Sequence, residues 1–325
     1  MSKRLQNRIA ESRFTLTITA LLCLPIWGVV ASVSEDIPLT GASMACVILA
    51  TILIAELNNA FSLIRIYSRM MSTCFLLLMT MSITPLLSLP VAGTSLCAII
   101  YYIAAFRCYQ EPQMTGWFYL AFLAIGVNSL FFVQVLYLIP PLVILAMIKL
   151  LSMNGRMLMA ALLGILTPYW FALVYVGFTQ DFTVVSNHFS ELITFTPPME
   201  ALGQITMRQA INGGMVALCA FIGIIHYLRN KQQDRIRTQL FYEIFITIDL
   251  LTIMFMIIQP QHFTQLMPIM IVNTAPLIAH FIALTETKWT NMLTKVLFLL
   301  LITITIYNLL SQSFLTTYMF HGLPL

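Results

Sequence analysis

The chain has 325 residues, of which 60% are hydrophobic and 9% charged, and its mean hydropathy is +0.91. Soluble domains carry about 25% charged residues, and a soluble fold of this size has nowhere to hide so much apolar surface, so the solvent is lipid. The net charge of +4 comes from Lys and Arg at the ends of apolar runs, a pattern that topology explains without any nucleic-acid partner.

Apolar runs of span length recur eleven times: about 14–33, 42–63, 70–90, 92–106, 116–132, 134–149, 157–177, 212–228, 239–259, 264–284 and 290–313. A transmembrane helix needs about 20 apolar residues. A β-barrel would need segments of about 10 residues with alternating polarity, and these are absent. The expected fold is an all-α polytopic transmembrane bundle, one integral membrane domain over residues 1–325.

The chain opens on Lys3, Arg4, Arg8 and Arg13. The first run is too long for a signal-peptide core, so it is read as a retained span. With the N-terminus in the cytoplasm, the inner ends collect every Lys and Arg except Arg208, and the C-terminus falls outside. This orientation is expected for a bacterial inner membrane. Runs 116–132 and 134–149 form a tight hairpin, with Pro140 and Pro141 interrupting the second; a re-entrant pair would keep the same orientation. The one long connection, Phe178 to Ile211, lies outside. Phe182, Val185, Phe189 and Ile193 recur there at helical spacing, which predicts an amphipathic helix on the outer leaflet. Pro197-Pro198 ends it, and a second helix is expected within Met199–Ile211.

Polar residues inside the spans are the candidate site. Asp249 stands 12 residues beyond Arg237, roughly 18 Å along a helix and near the midplane. An ionised Asp there costs about 2.5–3.5 kcal/mol, so it needs an interior partner. Asn273 on the next span is at matching depth. The pair serves either as a helix lock or as a proton or substrate site. Glu243 and His280 form a second expected pair nearer the cytoplasm, with Lys295 at a similar level, as a proton relay or an interfacial ion pair. In Glu56-Leu57-Asn58-Asn59, Glu56 and Asn59 share a helical face and predict an interior-facing polar patch. Asn128 and Gln134 read as helix–helix hydrogen-bonding residues.

Glu35-Asp36, just outside the first span, is either a solvated turn or an acid pair that meets a substrate, with His188, Glu191, Glu200 and Arg208 of the long connection facing it. No metal-ligand spacing, GxGxxG, Walker A, GxSxG or HExxH motif is present, so no metal or cofactor is expected. The six Cys form no CxxC and read as core residues.

Glu56-Leu57-Asn58-Asn59 with a downstream Arg, the apolar hairpin from Trp117 to Leu150, Asn154-Gly155-Arg156 leading to Leu163–Tyr169, and Pro268 to His280 together resemble a group of polytopic membrane proteins of similar length from Bacteroidota. That resemblance implies a membrane bundle and carries no activity. Span number and the acids Glu35-Asp36 are also similar to multi-spanning lipid-linked sugar transferases and polymerases, although the first outer loop here is only a few residues long. The expected function is therefore the handling of a lipid-linked or glycan envelope precursor, with Glu35, Asp36 and His188 as catalytic candidates. A transporter or flippase coupled through Asp249 and a non-catalytic assembly subunit are the alternatives. Membrane lipids are the expected partners.

Overall fold

The computed structural model describes residues 5–34, 36–180, 183–195, 197, 203, 205–285 and 287–311. Among them the chain is all-α, with no strand. Among the described residues nine helices are long and apolar enough to cross a membrane, and two further apolar helices, Met70–Ser82 and Thr115–Phe131, are shorter.

A short helix α1 (Leu5–Glu11) precedes the first span, where sequence reading anticipated only a basic lead-in. Next come α2 (Thr15–Val33) and α3 (Ile37–Phe61). Pro38 in the first turn of α3 lacks an N–H where none is needed, which favours a start there. Ser62 ends it in the left-handed region.

The run 70–90 is broken. Helix α4 (Met70–Ser82) stops at Ile83, which has φ 56° and ψ −43°, and α5 (Thr84–Leu87) restarts the chain before α6 (Leu89–Arg107). Pro85 and Pro90 each sit in a first turn, because neither ring is tolerated in a helix interior without losing a hydrogen bond. Positive φ at a buried β-branched residue stores strain of about 1–3 kcal/mol.

The expected hairpin has two helical arms. The first is α7 (Thr115–Phe131); the second runs through a 3-10 turn (Val133–Leu138), α8 (Ile139–Leu145) and a π turn (Ala146–Leu150). Pro140-Pro141 falls in the first turn of α8, so the change of winding is where the missing N–H groups demand it.

Helix α9 (Gly155–Thr179) is capped by Asn154, whose Oδ1 accepts from Met157 N at 2.8 Å. The long connection after α9 contains α10 (Thr183–Ser190), the expected short helix, whereas Phe182 and most of 198–204 lie outside the described residues. Helix α11 (Met207–Asn230) opens on a capping box between Thr206 and Gln209. Then follow α12 (Ile236–Ile258), α13 (Phe263–Leu284) and α14 (Lys288–Ser311).

Helix α13 is the axis. Its most apolar window is 100% buried, against 22% for α2 and α14. Around it pack α1, α4, α6, α11 and α12. In lipid, apolar side chains gain little by turning inward, so polar ones sort the helices. Helix α13 carries Asn273, Thr274 and His280, all buried. Helix α1 is sewn to its end: Gln6 Nε2 donates to Ile282 O at 2.8 Å and to Thr285 Oγ1 at 2.5 Å. Ser68 Oγ donates to Ala10 O at 2.7 Å, tying in the loop after α3.

Candidate functional site

The polar residues of interest gather where the cations do. Asp234 follows the 3-10 turn Lys231–Gln233 and folds inward. Its carboxylate accepts from His280 Nε2 at 2.9 Å, with the two side chains 3% and 1% exposed. A carboxylate can only accept, so the His280 proton facing it sits on Nε2.

Three rings enclose the imidazole: His226 and Tyr227 of α11, both at 5.4 Å between centroids, and Tyr242 of α12 at 5.0 Å. Tyr227 and Tyr242 stack on each other at 4.7 Å. His280 Nδ1, His226 Nε2 and Tyr242 Oη are buried with no protein hydrogen-bond partner. Buried polar atoms in native proteins are overwhelmingly paired, so three spare ones around one histidine mark a site with hydrogen-bonding capacity to give.

Asp234 also lines a cavity of about 450 Å³ at the same end. Arg65, Arg235, Asn59, Ser62 and Thr238 share that lining. Asn58 builds the wall: its Oδ1 accepts from Ile64 N at 3.1 Å and its Nδ2 donates to Ser68 O at 3.2 Å, fixing the loop that carries Arg65. Two guanidinium groups with amide and hydroxyl donors suit a phosphate or carboxylate, and Asp234, the one acid of the lining, is engaged by His280.

The expected Glu243–His280 pair is corrected. Glu243 binds Lys149 in a short ion pair and Lys231 at 3.6 Å. One residue turns a helix by about 100°, so with Tyr242 facing His280, Glu243 points to the π turn instead. Lys295 joins neither; it lines a groove with Arg8.

The Asp249–Asn273 pair is corrected by the same single step. Thr274 Oγ1 donates to Asp249 at 3.1 Å, and Asn273 Oδ1 accepts from Tyr102 Oη at 2.5 Å. Asp249 and Asn273 are both 0% exposed. Along α12, Thr238 lines the cavity while Phe241 and Phe245 stand between it and Asp249, with Phe106 stacked on Phe241 at 4.0 Å. This aromatic layer separates Asp249 from the cavity, and the two polar contacts tie α13 to α12 and to α6. Tyr102→Phe would strand the Asn273 acceptor, and a loss of about 1–3 kcal/mol is expected; thermal denaturation in detergent measures it.

Glu56 and Asn59 do not form an interior patch: both are exposed and Asn58 is the buried member, because the inward face of α3 passes through Leu57 and Asn58. Asn128 accepts from Thr94 Oγ1 at 2.8 Å, the expected helix–helix bond. Gln134 donates to Glu191 O at 3.4 Å, which fastens the long connection to the hairpin.

Glu35 and Glu200 lie outside the described residues. Asp36 is exposed at the start of α3, and His188 packs on Phe189 and Tyr169 at 5.4 and 6.1 Å. Among the described residues no hydrogen bond joins Asp36 to His188, and no three His, Cys, Asp or Glu side chains converge as a metal site would require. The cysteines are free; burial pushes the Cys108 thiol, just past α6, up to about 12, which removes it as a nucleophile.

No family model, curated protein or solved structure matches the chain. The site therefore stands on its own residues. Sequence reading missed Asp234, His226, Tyr242 and Arg65. One signal was available: Asp234 is the only acid in the basic stretch from Arg229 to Arg237.

Proposed function

We propose that the chain crosses a bacterial inner membrane eleven times, N-terminus in the cytoplasm and C-terminus outside, and handles the anionic head of a lipid-linked envelope precursor at its cytoplasmic end. The observation that carries this reading is the convergence of Arg65 and Arg235 on one cavity, with Asp234 held aside by His280. The clustering of cations supports the orientation. The Arg65–Arg235 cavity, whose lining includes neither Asp36 nor His188, replaces Glu35, Asp36 and His188 as the candidate site.

The test is binding of a short-chain polyprenyl diphosphate to the full chain in vesicles. Arg65→Gln and Arg235→Gln each remove one charge-assisted hydrogen bond. Such bonds are worth about 1.5–3 kcal/mol, so affinity should fall by about 10- to 100-fold. Arg156→Gln, exposed and outside the cavity, serves as control. Wild-type protein that ignores the diphosphate, or variants that bind it equally well, would end the reading.

A proton-coupled transporter is the second reading. The spare buried atoms His280 Nδ1 and Tyr242 Oη favour Asp234–His280 as its proton site rather than the fully buried Asp249. Proton flux in vesicles would then fall with Asp234→Asn and persist with Asp249→Asn.

A further inference from the structure

Helices α2 and α14 flank α4 without closing over it. Between them run two continuous hollows, of about 770 Å³ nearest the basic end and about 360 Å³ beyond it. Thr19, Phe298 and Ile302 line both, which makes them one groove. Its floor is a single face of α4: Thr73 under the first hollow, then Leu77 and Thr80 under the second.

The two ends differ in chemistry. The mouth holds Arg8 and Lys295, with Ser12, Thr15 and Thr73. Ser12 Oγ accepts from Phe14 N at 3.2 Å, leaving its proton to donate. Deeper, the walls are Leu22, Ile26 and Leu309. Arg8 and Lys295 are exposed, and neither has an ion-pair partner among the described residues. Arg8 is also held in place, because Gln6 and Asn7 of the same helix are buried and bonded to the end of α13.

We propose that this groove is a binding site for one anionic phospholipid, its phosphate between Arg8 and Lys295 and an acyl chain along α4. Length agrees. The 14 helical steps from Lys295 to Leu309 rise roughly 21 Å, and half of a bilayer counted with its headgroup regions is roughly 20–22 Å. A peptide helix would not need two unpaired cations at the head-group level. The site is distinct from the Arg65–Arg235 cavity and stands whether or not that cavity binds a precursor.

The experiment is native mass spectrometry of the full chain, equilibrated with equal amounts of phosphatidylglycerol and phosphatidylcholine before release. Wild-type protein should retain one phosphatidylglycerol in preference. A basic residue near the membrane surface is worth about 1 kcal/mol toward anionic lipid, so Arg8→Gln and Lys295→Gln should each weaken retention about fivefold. Ile302→Trp, which fills the groove without changing charge, should displace the lipid, and it also covers the case in which a charge variant fails to fold. Arg13→Gln, an exposed cation outside the groove, should retain it. Equal retention of the two lipids, equal loss in Arg13→Gln, an unmoved lipid in Ile302→Trp, or displacement by inorganic phosphate alone would each overturn the proposal.

Discussion

Asp234→Ala is expected to lower stability by about 3–5 kcal/mol, the cost of removing one member of a buried pair. The side chains of Asp234 and His280 are 3% and 1% exposed, so each depends on the other for its hydrogen bond. The imidazole would then keep Nε2 as well as Nδ1 without a hydrogen bond, inside a cage of His226, Tyr227 and Tyr242. The turn Lys231–Gln233 would lose its anchor to α13, and with it the lip of the cavity that Arg235 occupies.

Equilibrium denaturation in detergent reads the effect. Asp36→Ala, exposed, should stay within about 0.5 kcal/mol of wild type. Combining Asp234→Ala with His280→Phe should recover part of the loss, because the stranded imidazole is gone; a coupling of about 0.5–3 kcal/mol is the size expected for contacting residues. An Asp234→Ala protein that denatures like wild type would show that the pair bears no weight.

The second large effect is steric. Helices α7 and α9 approach closely at two glycines, Gly164 against Tyr119–Leu123 of α7 and Gly126 against Gly164-Ile165 of α9. A Cβ on Gly164 would lie 2.6 Å from Tyr119 O and 2.9 Å from Leu123 N, and one on Gly126 would lie 2.8 Å from Ile165 O. These are backbone atoms, which have no rotamer to escape into. Gly164→Val should force the helices apart and destabilise by about 3 kcal/mol, the upper range for overpacking. It should also expose the hydroxyl contact between Tyr169 and Ser129, now 2.7 Å, that crosses the same interface. Gly155→Ala, with open space around the added methyl, is the matched control and should change stability by less than about 1 kcal/mol. Equal melting of the two variants would mean that the close approach is not needed.

The lipid-borne nature of the fold was plain from the sequence because hydropathy is a local property: twenty consecutive apolar residues declare a helix without reference to anything else. Within the described residues the eleven expected segments are helical and nine helices are long enough to cross a membrane, although the segments near 70–90 and 134–149 are interrupted at Ile83 and at the turns around Pro140-Pro141. The site was legible only in depth. Counting from Arg237 put Asp249 level with Asn273, but Asp249 meets the next residue, Thr274, and Asn273 meets Tyr102. It could not say which neighbour each would face. Asn273 and Thr274 differ by one position, as do Tyr242 and Glu243, and each step swings a side chain by about 100°.

Sequence alone thus determined that the chain is a helical membrane protein and where most of its long helices lie, short of α1 and of the breaks at Ile83 and Pro140-Pro141. Tertiary structure decided that α13 is the axis, that Asp234 rather than Glu243 holds His280, and that Arg65 and Arg235 meet across about 170 residues of chain to line one cavity. The reason is that lipid solvates apolar side chains on every face alike. Azimuth around each helix is therefore fixed by a few polar contacts and close-packed glycines between distant segments, and no local pattern encodes those.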